Sequence, residues 1–206
     1  MILEQIFKNL CFNYSDDQKF IKNSWTEIDK KYSEKTRYYH NLLHIQNLFE
    51  EIEQVKENIK NFEIVSFSVF YHDIIYSATS KSNEEKSADY AAKKLTGLNL
   101  NKNDIKTVCN QILATKSHQK SDDSDTNYLL DADLSILGKN FQIYSQYIQQ
   151  IRKEYSIYPD FVYKPGRKKV LQHFLDLENI YKTEFFREKY EATARKNLIA
   201  ELENLN

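Results

Sequence analysis

The chain has 206 residues, 29 basic and 30 acidic, for a formal net charge of −1. This balance excludes a broad cationic footprint for DNA, RNA or an anionic membrane surface and fits a small-molecule partner better. Only 3 Gly and 2 Pro interrupt long runs of Leu, Lys, Glu, Gln and Ala, so few positions end a helix or form a tight turn, and the chain reads as all-α despite its Ile, Tyr and Phe.

Met1 to Leu10 carries Glu4 and lacks both a basic start and a long apolar stretch, unlike a secretory signal. No run reaches transmembrane length, and a cytoplasmic location is expected. Asp16 or Asp17 can cap a helix toward Tyr32, with Phe20, Ile21, Trp25 and Ile28 on one side as a packing face. A second helix should begin near Thr36 to Tyr39 and continue through Ile45, Leu48, Phe49, Ile52 and Val55, its first turns carrying His40 and His44. The stretch Phe62 to Tyr76 is apolar on more than one face and should be buried nearly all round.

After a polar loop, Ser82-Asn83-Glu84-Glu85 reads as a capping box in which Ser82 and Glu85 satisfy backbone donors, and that helix should end near Gly97. Asn101 or Asn103 starts a helix through Val108 and Ile112, followed by a charged loop, Ser117 to Asp125, with His118 at its beginning. Thr126 to Leu137, closed by Gly138, forms a short helix with Asp131 and Asp133. A longer helix follows from about Phe141 to Tyr155. Tyr158-Pro159 and Lys164-Pro165-Gly166 bracket an irregular piece, and two helices complete the chain from Arg167. The length suits one domain over 1–206, with a motif core at about 25–140 and helices 141–206 packed on it. Cys11 and Cys109 match neither a disulfide framework nor a zinc ribbon.

Chemistry concentrates in a few polar residues on apolar segments. His72-Asp73 lies in the apolar 62–76 stretch, where an unpaired charge costs several kcal/mol unless a partner or metal compensates it. His40 and His44, four residues apart on the expected helix, share a face one turn apart. Asp131 and Asp133 sit in Leu129-Leu130-Asp131-Ala132-Asp133-Leu134, an unusual place for solvated acids. The structural alternative for these two is a helix N-cap and one exposed acid.

The order His44, His72-Asp73, Ala132-Asp133-Leu134 resembles the H…HD…D signature of the HD superfamily of metal-dependent phosphohydrolases. Arg37-Tyr38-Tyr39-His40-Asn41-Leu42-Leu43-His44-Ile45 and Phe70-Tyr71-His72-Asp73-Ile74-Ile75-Tyr76 resemble, more narrowly, a bacterial subgroup of predicted HD phosphohydrolases. Asn83 to Ala88, Leu130 to Gly138, Ile151 to Tyr155 and Ala194 to Leu198 extend that likeness over most of the chain from about Trp25. His40-Asn41-Leu42-Leu43-His44 is also similar to the His-Asn-x-x-His stretch of cyclic nucleotide phosphodiesterases, although their purine-binding glutamine has no counterpart here.

The resemblance implies a single-domain HD-type helical bundle, with His44, His72, Asp73 and Asp133 as metal ligands and His40 as general acid. Asp73 can also bridge to a second metal. Such a donor set suits one or two divalent ions, Mn, Fe, Co, Ni, Zn or Mg, with open positions for water and substrate. The implied reaction is hydrolysis of a phosphomonoester or phosphodiester of a small nucleotide-like molecule. His118 can serve a second metal or, with Lys116, contact phosphate. Asp131 reads as an acid behind the ligands, Glu84 or Glu85 as a water-orienting acid, and Arg37, Arg152 or Arg167 as a phosphate clamp. His40 orienting its neighbours, Glu85 as a cap only, surface-paired arginines, a solvated His118 and aromatic packing by Tyr38, Tyr39, Tyr71 and Tyr76 are the structural alternatives. Two other functions stay open: an HD-fold di-iron oxygenase, and a non-catalytic regulatory or binding module with a structural metal.

Overall fold

The computed structural model describes residues 2–205, and every regular element among them is helical. The chain is all-α, as the composition requires, and no helix among the described residues is long and apolar enough to cross a membrane. Its internal contacts divide it into two units, with the division between Leu129 and Leu130.

The first unit contains α1 (Ile2–Phe12), α2 (Gln18–Tyr32), α3 (Leu42–Glu53), α4 (Phe62–Tyr71), α5 (Asn83–Gly97) and α6 (Lys102–Ala114). α4 is its centre. Its residues Ile64 through Tyr71 are all buried, as expected of a helix that is apolar on every face, and α1, α3, α5 and α6 pack on it. Phe7 of α1 meets Phe70 edge-to-face with ring centroids 5.1 Å apart, and Phe49 of α3 approaches the same ring at 4.9 Å. Ser68, fully buried on α4, is satisfied by Gln111 of α6 at 2.6 Å. Cys11 is buried without a disulfide partner, and burial pushes its thiol up to about 12, which leaves it unreactive.

Caps set most of the helix starts. Asp17 accepts from the Phe20 N–H, Asn61 from Ile64 and Asn101 from Asp104. The expected capping box at Ser82 does not form: Ser82 occupies the N-cap without a side-chain capping bond, and Glu85 instead receives Lys116. α5 ends at Gly97 as expected, but the left-handed residue that closes it is Asn99, with φ 66°. The Leu100 N–H then donates back to the Leu95 carbonyl at 3.1 Å.

α3 departs furthest from expectation. It begins at Leu42 rather than near Thr36 to Tyr39, because the Asn41 side chain accepts from the N–H groups of Leu43 and His44 while the Asn41 backbone is extended. His40 therefore precedes the helix instead of sharing its face with His44. α4 likewise stops at Tyr71, which puts His72-Asp73 in the turn that follows.

α7 (Ser124–Asp133) runs into a 3₁₀ segment, Leu134–Gly138. The second unit continues with α8 (Phe141–Glu154), α9 (Asp160–Asp176) and α10 (Glu184–Asn204), and the 3₁₀ segment and α9 pack on α10. The irregular piece expected around Lys164-Pro165-Gly166 is helical: Pro165 lies inside α9. The proline withholds one N–H from the Phe161 carbonyl, and Phe161, 80% exposed, lies where water can replace that bond.

Gly138 does not close its segment through a left-handed turn, since no glycine has positive φ. It is required by proximity: a Cβ at 138 would lie 2.4 Å from the Cβ of Tyr190. Gly138→Ala is therefore expected to cost about 1–3 kcal/mol of stability in urea denaturation, as overpacked sites do. A loss below about 0.5 kcal/mol, the range of surface substitutions, would show that α10 yields without strain.

Candidate metal centre

The turn at the C-terminal end of α4 collects the chemistry of the first unit. The His72 Nδ1 lies 3.0 Å from the Val69 carbonyl oxygen. A carbonyl only accepts, so Nδ1 carries the proton and Nε2 presents its lone pair. That Nε2 faces His44 Nε2 at 3.1 Å, with both rings buried at 1–2% exposure. Asp73 adds Oδ2 at 3.1 Å from His72 Nε2 and 3.8 Å from His44 Nε2.

Three donor atoms separated by 3.1, 3.1 and 3.8 Å match the spacing around one small cation. Tetrahedral bonds of about 2.0–2.1 Å place ligand atoms about 3.4 Å apart. Two imidazoles and a carboxylate form a donor set for a borderline divalent ion. The Val69 carbonyl fixes the tautomer of His72, as the partner behind a metal-ligating histidine does in metal sites generally.

His40 borders this group. Its ring stacks on Tyr76 at 4.2 Å and 28°, meets the edge of Tyr39 at 5.0 Å, and holds Nε2 4.0 Å from Asp73 Oδ2. The side chain is 18% exposed, against 2% for His44, so His40 is the histidine of the group that solvent or a substrate can reach. Tyr39 also lies against His44, with ring centroids 4.8 Å apart.

Arg37 does not point an open guanidinium at a phosphate. It is buried, and its Nη atoms donate to the carbonyls of His40 (3.3 Å), Asp73 (2.6 Å) and Ile74 (3.0 Å). Lys116 is exposed and engaged by Glu85 and by the Lys81 carbonyl, and its hydrogen bond holds the Glu85 carboxyl below the usual range. Glu84 is half-buried in the first turn of α5, where the helix dipole favours an acid. His118 adopts a left-handed backbone (φ 51°) just beyond α6, with its N–H donating to Ala114, so its position there has a turn-forming role.

In the second unit, Asp133 is the half-buried last residue of α7. Asp131 is fully buried and its carboxylate is used structurally, accepting from the backbone N–H groups of Lys182 and Thr183 and from the Thr183 hydroxyl at 2.7–3.0 Å. Arg167 pairs in two-pronged fashion with Glu201, while Arg152 binds Asp160 and the carbonyls of Tyr155 and Tyr158. These two arginines hold the fold rather than a phosphate. His173 is exposed on α9.

Tyr32 was not distinguishable in the sequence from a packing residue. Its hydroxyl donates to the Phe70 carbonyl at 3.1 Å and accepts from the Asp73 N–H at 3.3 Å, tying the end of α2 to the His72-Asp73 turn. Helical spacing from Ile21 and Ile28 marks its buried face, but nothing in that pattern marks the hydroxyl.

Comparison with family models, with curated proteins and with solved structures gives no match to this chain.

Proposed function

We propose that the chain is a metal-dependent phosphohydrolase that cleaves a phosphomonoester or phosphodiester of a small nucleotide-like substrate. In this reading His44, His72, Asp73 and Asp133 hold the cation. The observation that carries it is the trio of His44 Nε2, His72 Nε2 and Asp73 Oδ2, mutually within 3.8 Å. Both histidines are buried, and the His72 Nε2 lone pair faces His44 Nε2 and Asp73 Oδ2, so one small cation could take the place of the contacts these atoms make with one another. The reaction class is supported by the motif order that resembles the HD superfamily.

A divalent ion bound there supplies an acidified water and polarises the phosphoryl oxygen. The remaining work belongs to this chain. The Val69 carbonyl keeps the His72 proton on Nδ1, so that Nε2 remains a donor to the ion. His40, the most accessible imidazole of the group and supported on Tyr76, holds the proton that a departing alkoxide requires.

The test is elemental analysis of the purified protein, followed by turnover of a panel of nucleotides and simple phosphate esters with added Mn, Co, Ni, Zn or Mg. The expected result is bound divalent metal and hydrolysis, read as phosphate released from a monoester or as monoester and alcohol formed from a diester, that Asp73→Asn removes. Bound metal without turnover would instead favour the regulatory module. Bound iron with oxygen consumption would favour the di-iron oxygenase. Absence of metal affinity for all five ions would overturn the metal centre itself.

A further inference from the structure

We infer that Arg37 is a positioning residue, a guanidinium clasp that fixes the segment bearing His40 against the turn bearing His72 and Asp73. This goes beyond the proposed hydrolase activity, which involves neither Arg37 nor the backbone it binds. The two segments are 36 residues apart in sequence for the pair Arg37 and Asp73, and no helix joins them locally. One planar group spans the gap: Nη1 donates to the His40 and Asp73 carbonyls and Nη2 to the Ile74 carbonyl.

The residue is built in rather than draped over the surface. Arg37 is 6% exposed, and its guanidinium lies over the Tyr32 ring at 5.0 Å and the Tyr76 ring at 5.6 Å. Tyr76 also stacks on His40, and the Tyr32 hydroxyl accepts from the Asp73 N–H, so both rings that sandwich Arg37 also touch residues of the metal group. The Nε lies 3.6 Å from Glu34, too far for a hydrogen bond. The directional bonds of Arg37 thus go to the two segments of the site.

The other side of the turn is held independently. The Ser87 hydroxyl engages both the N–H and the carbonyl of Ile75, and Asn83 does the same for Ser77. These α5 contacts locate the far end of the turn, residues 75–77, and leave the carbonyls of Asp73 and Ile74 to Arg37. A lysine keeps the charge but presents a single compact head, which cannot reproduce a fork across three carbonyls.

The test compares wild type, Arg37→Lys and Arg37→Ala in two measurements. The first is hydrogen exchange of the metal-free proteins. Arg37→Lys is expected to lose protection in residues 37–45 and 71–76 while α5 and α6 keep theirs; unchanged protection in both segments, or uniform loss throughout the first unit, overturns the clasp. The second is titration with Mn or Zn alone, in which Arg37→Lys should weaken affinity about 10- to 100-fold, the usual effect of disturbing the shell behind metal ligands, and added guanidinium should partly restore Arg37→Ala. If Arg37→Lys binds metal as tightly as wild type, Arg37 does not position the ligands. If wild type itself binds neither ion, the metal reading fails, and the exchange measurement alone decides the clasp.

Discussion

His72→Ala is expected to reduce divalent-metal affinity by more than about 100-fold, while the protein retains its helical circular-dichroism spectrum. Disturbing a residue behind a ligand costs about 10- to 100-fold, and removing a ligand should exceed that. The histidine contributes an Nε2 that lies 3.1 Å from both His44 Nε2 and Asp73 Oδ2, so it is the corner common to the two shortest edges of the donor triangle. His40→Ala provides the contrast. Its Nε2 comes no nearer than 4.0 Å to Asp73 Oδ2, and its ring leans on Tyr76, so metal should remain bound while the rate falls by about 10²- to 10⁴-fold, the range for loss of a general acid. Isothermal titration with Mn or Zn separates the two variants. Full metal affinity in His72→Ala would remove the centre from this turn; loss of metal in His40→Ala would make His40 a ligand and leave the leaving group without its acid.

The parts of this arrangement legible in the sequence were those written as periodicity and composition. The all-round apolar stretch became the buried α4, and the caps expected at Asp16 or Asp17 and at Asn101 or Asn103 form at Asp17 and Asn101. The errors came where one side chain overrode a periodic pattern. Apolar spacing through residues 36–45 suggests helix, but the Asn41 carboxamide satisfies two backbone donors and starts α3 at Leu42, leaving His40 outside it. Ser82 and Glu85 have the spacing of a capping box, yet Glu85 has a cation within reach, Lys116 in the turn just beyond α6, a partner that local sequence cannot reveal. In the sequence Arg37 reads, no differently from Arg152 and Arg167, as a phosphate clamp or a surface-paired arginine, and its acceptors are instead three backbone carbonyls. A guanidinium binds phosphate and peptide carbonyls through the same fork, and only the fold shows that three carbonyls are already in its reach. Gly138 looked like a helix stop, whereas its small size is demanded by Tyr190, 52 residues later and invisible to any local rule.

The largest expected change in stability lies in the second unit, where Arg167→Ala should cost about 3–5 kcal/mol in urea denaturation, the range for removing one partner of a buried ion pair. Arg167 and Glu201 are 8% and 3% exposed and joined by two bonds of 2.7 and 3.0 Å. Glu201 also accepts from the Tyr144 hydroxyl; burial, with Glu201 adding to it, pushes that phenol up, so it remains a donor at every pH where the fold persists. Deleting the guanidinium leaves one buried carboxylate with a single neutral donor, and most of the loss is the cost of that stranded charge rather than the worth of the pair. Arg167→Met combined with Glu201→Leu, which removes both charges and keeps volume, should therefore be much more stable than Arg167→Ala and unlike the sum of the single changes. A loss in Arg167→Ala below about 1 kcal/mol, typical of an exposed pair, would mean that water reaches Glu201. It would also reopen Arg167 as a residue free to meet an anion.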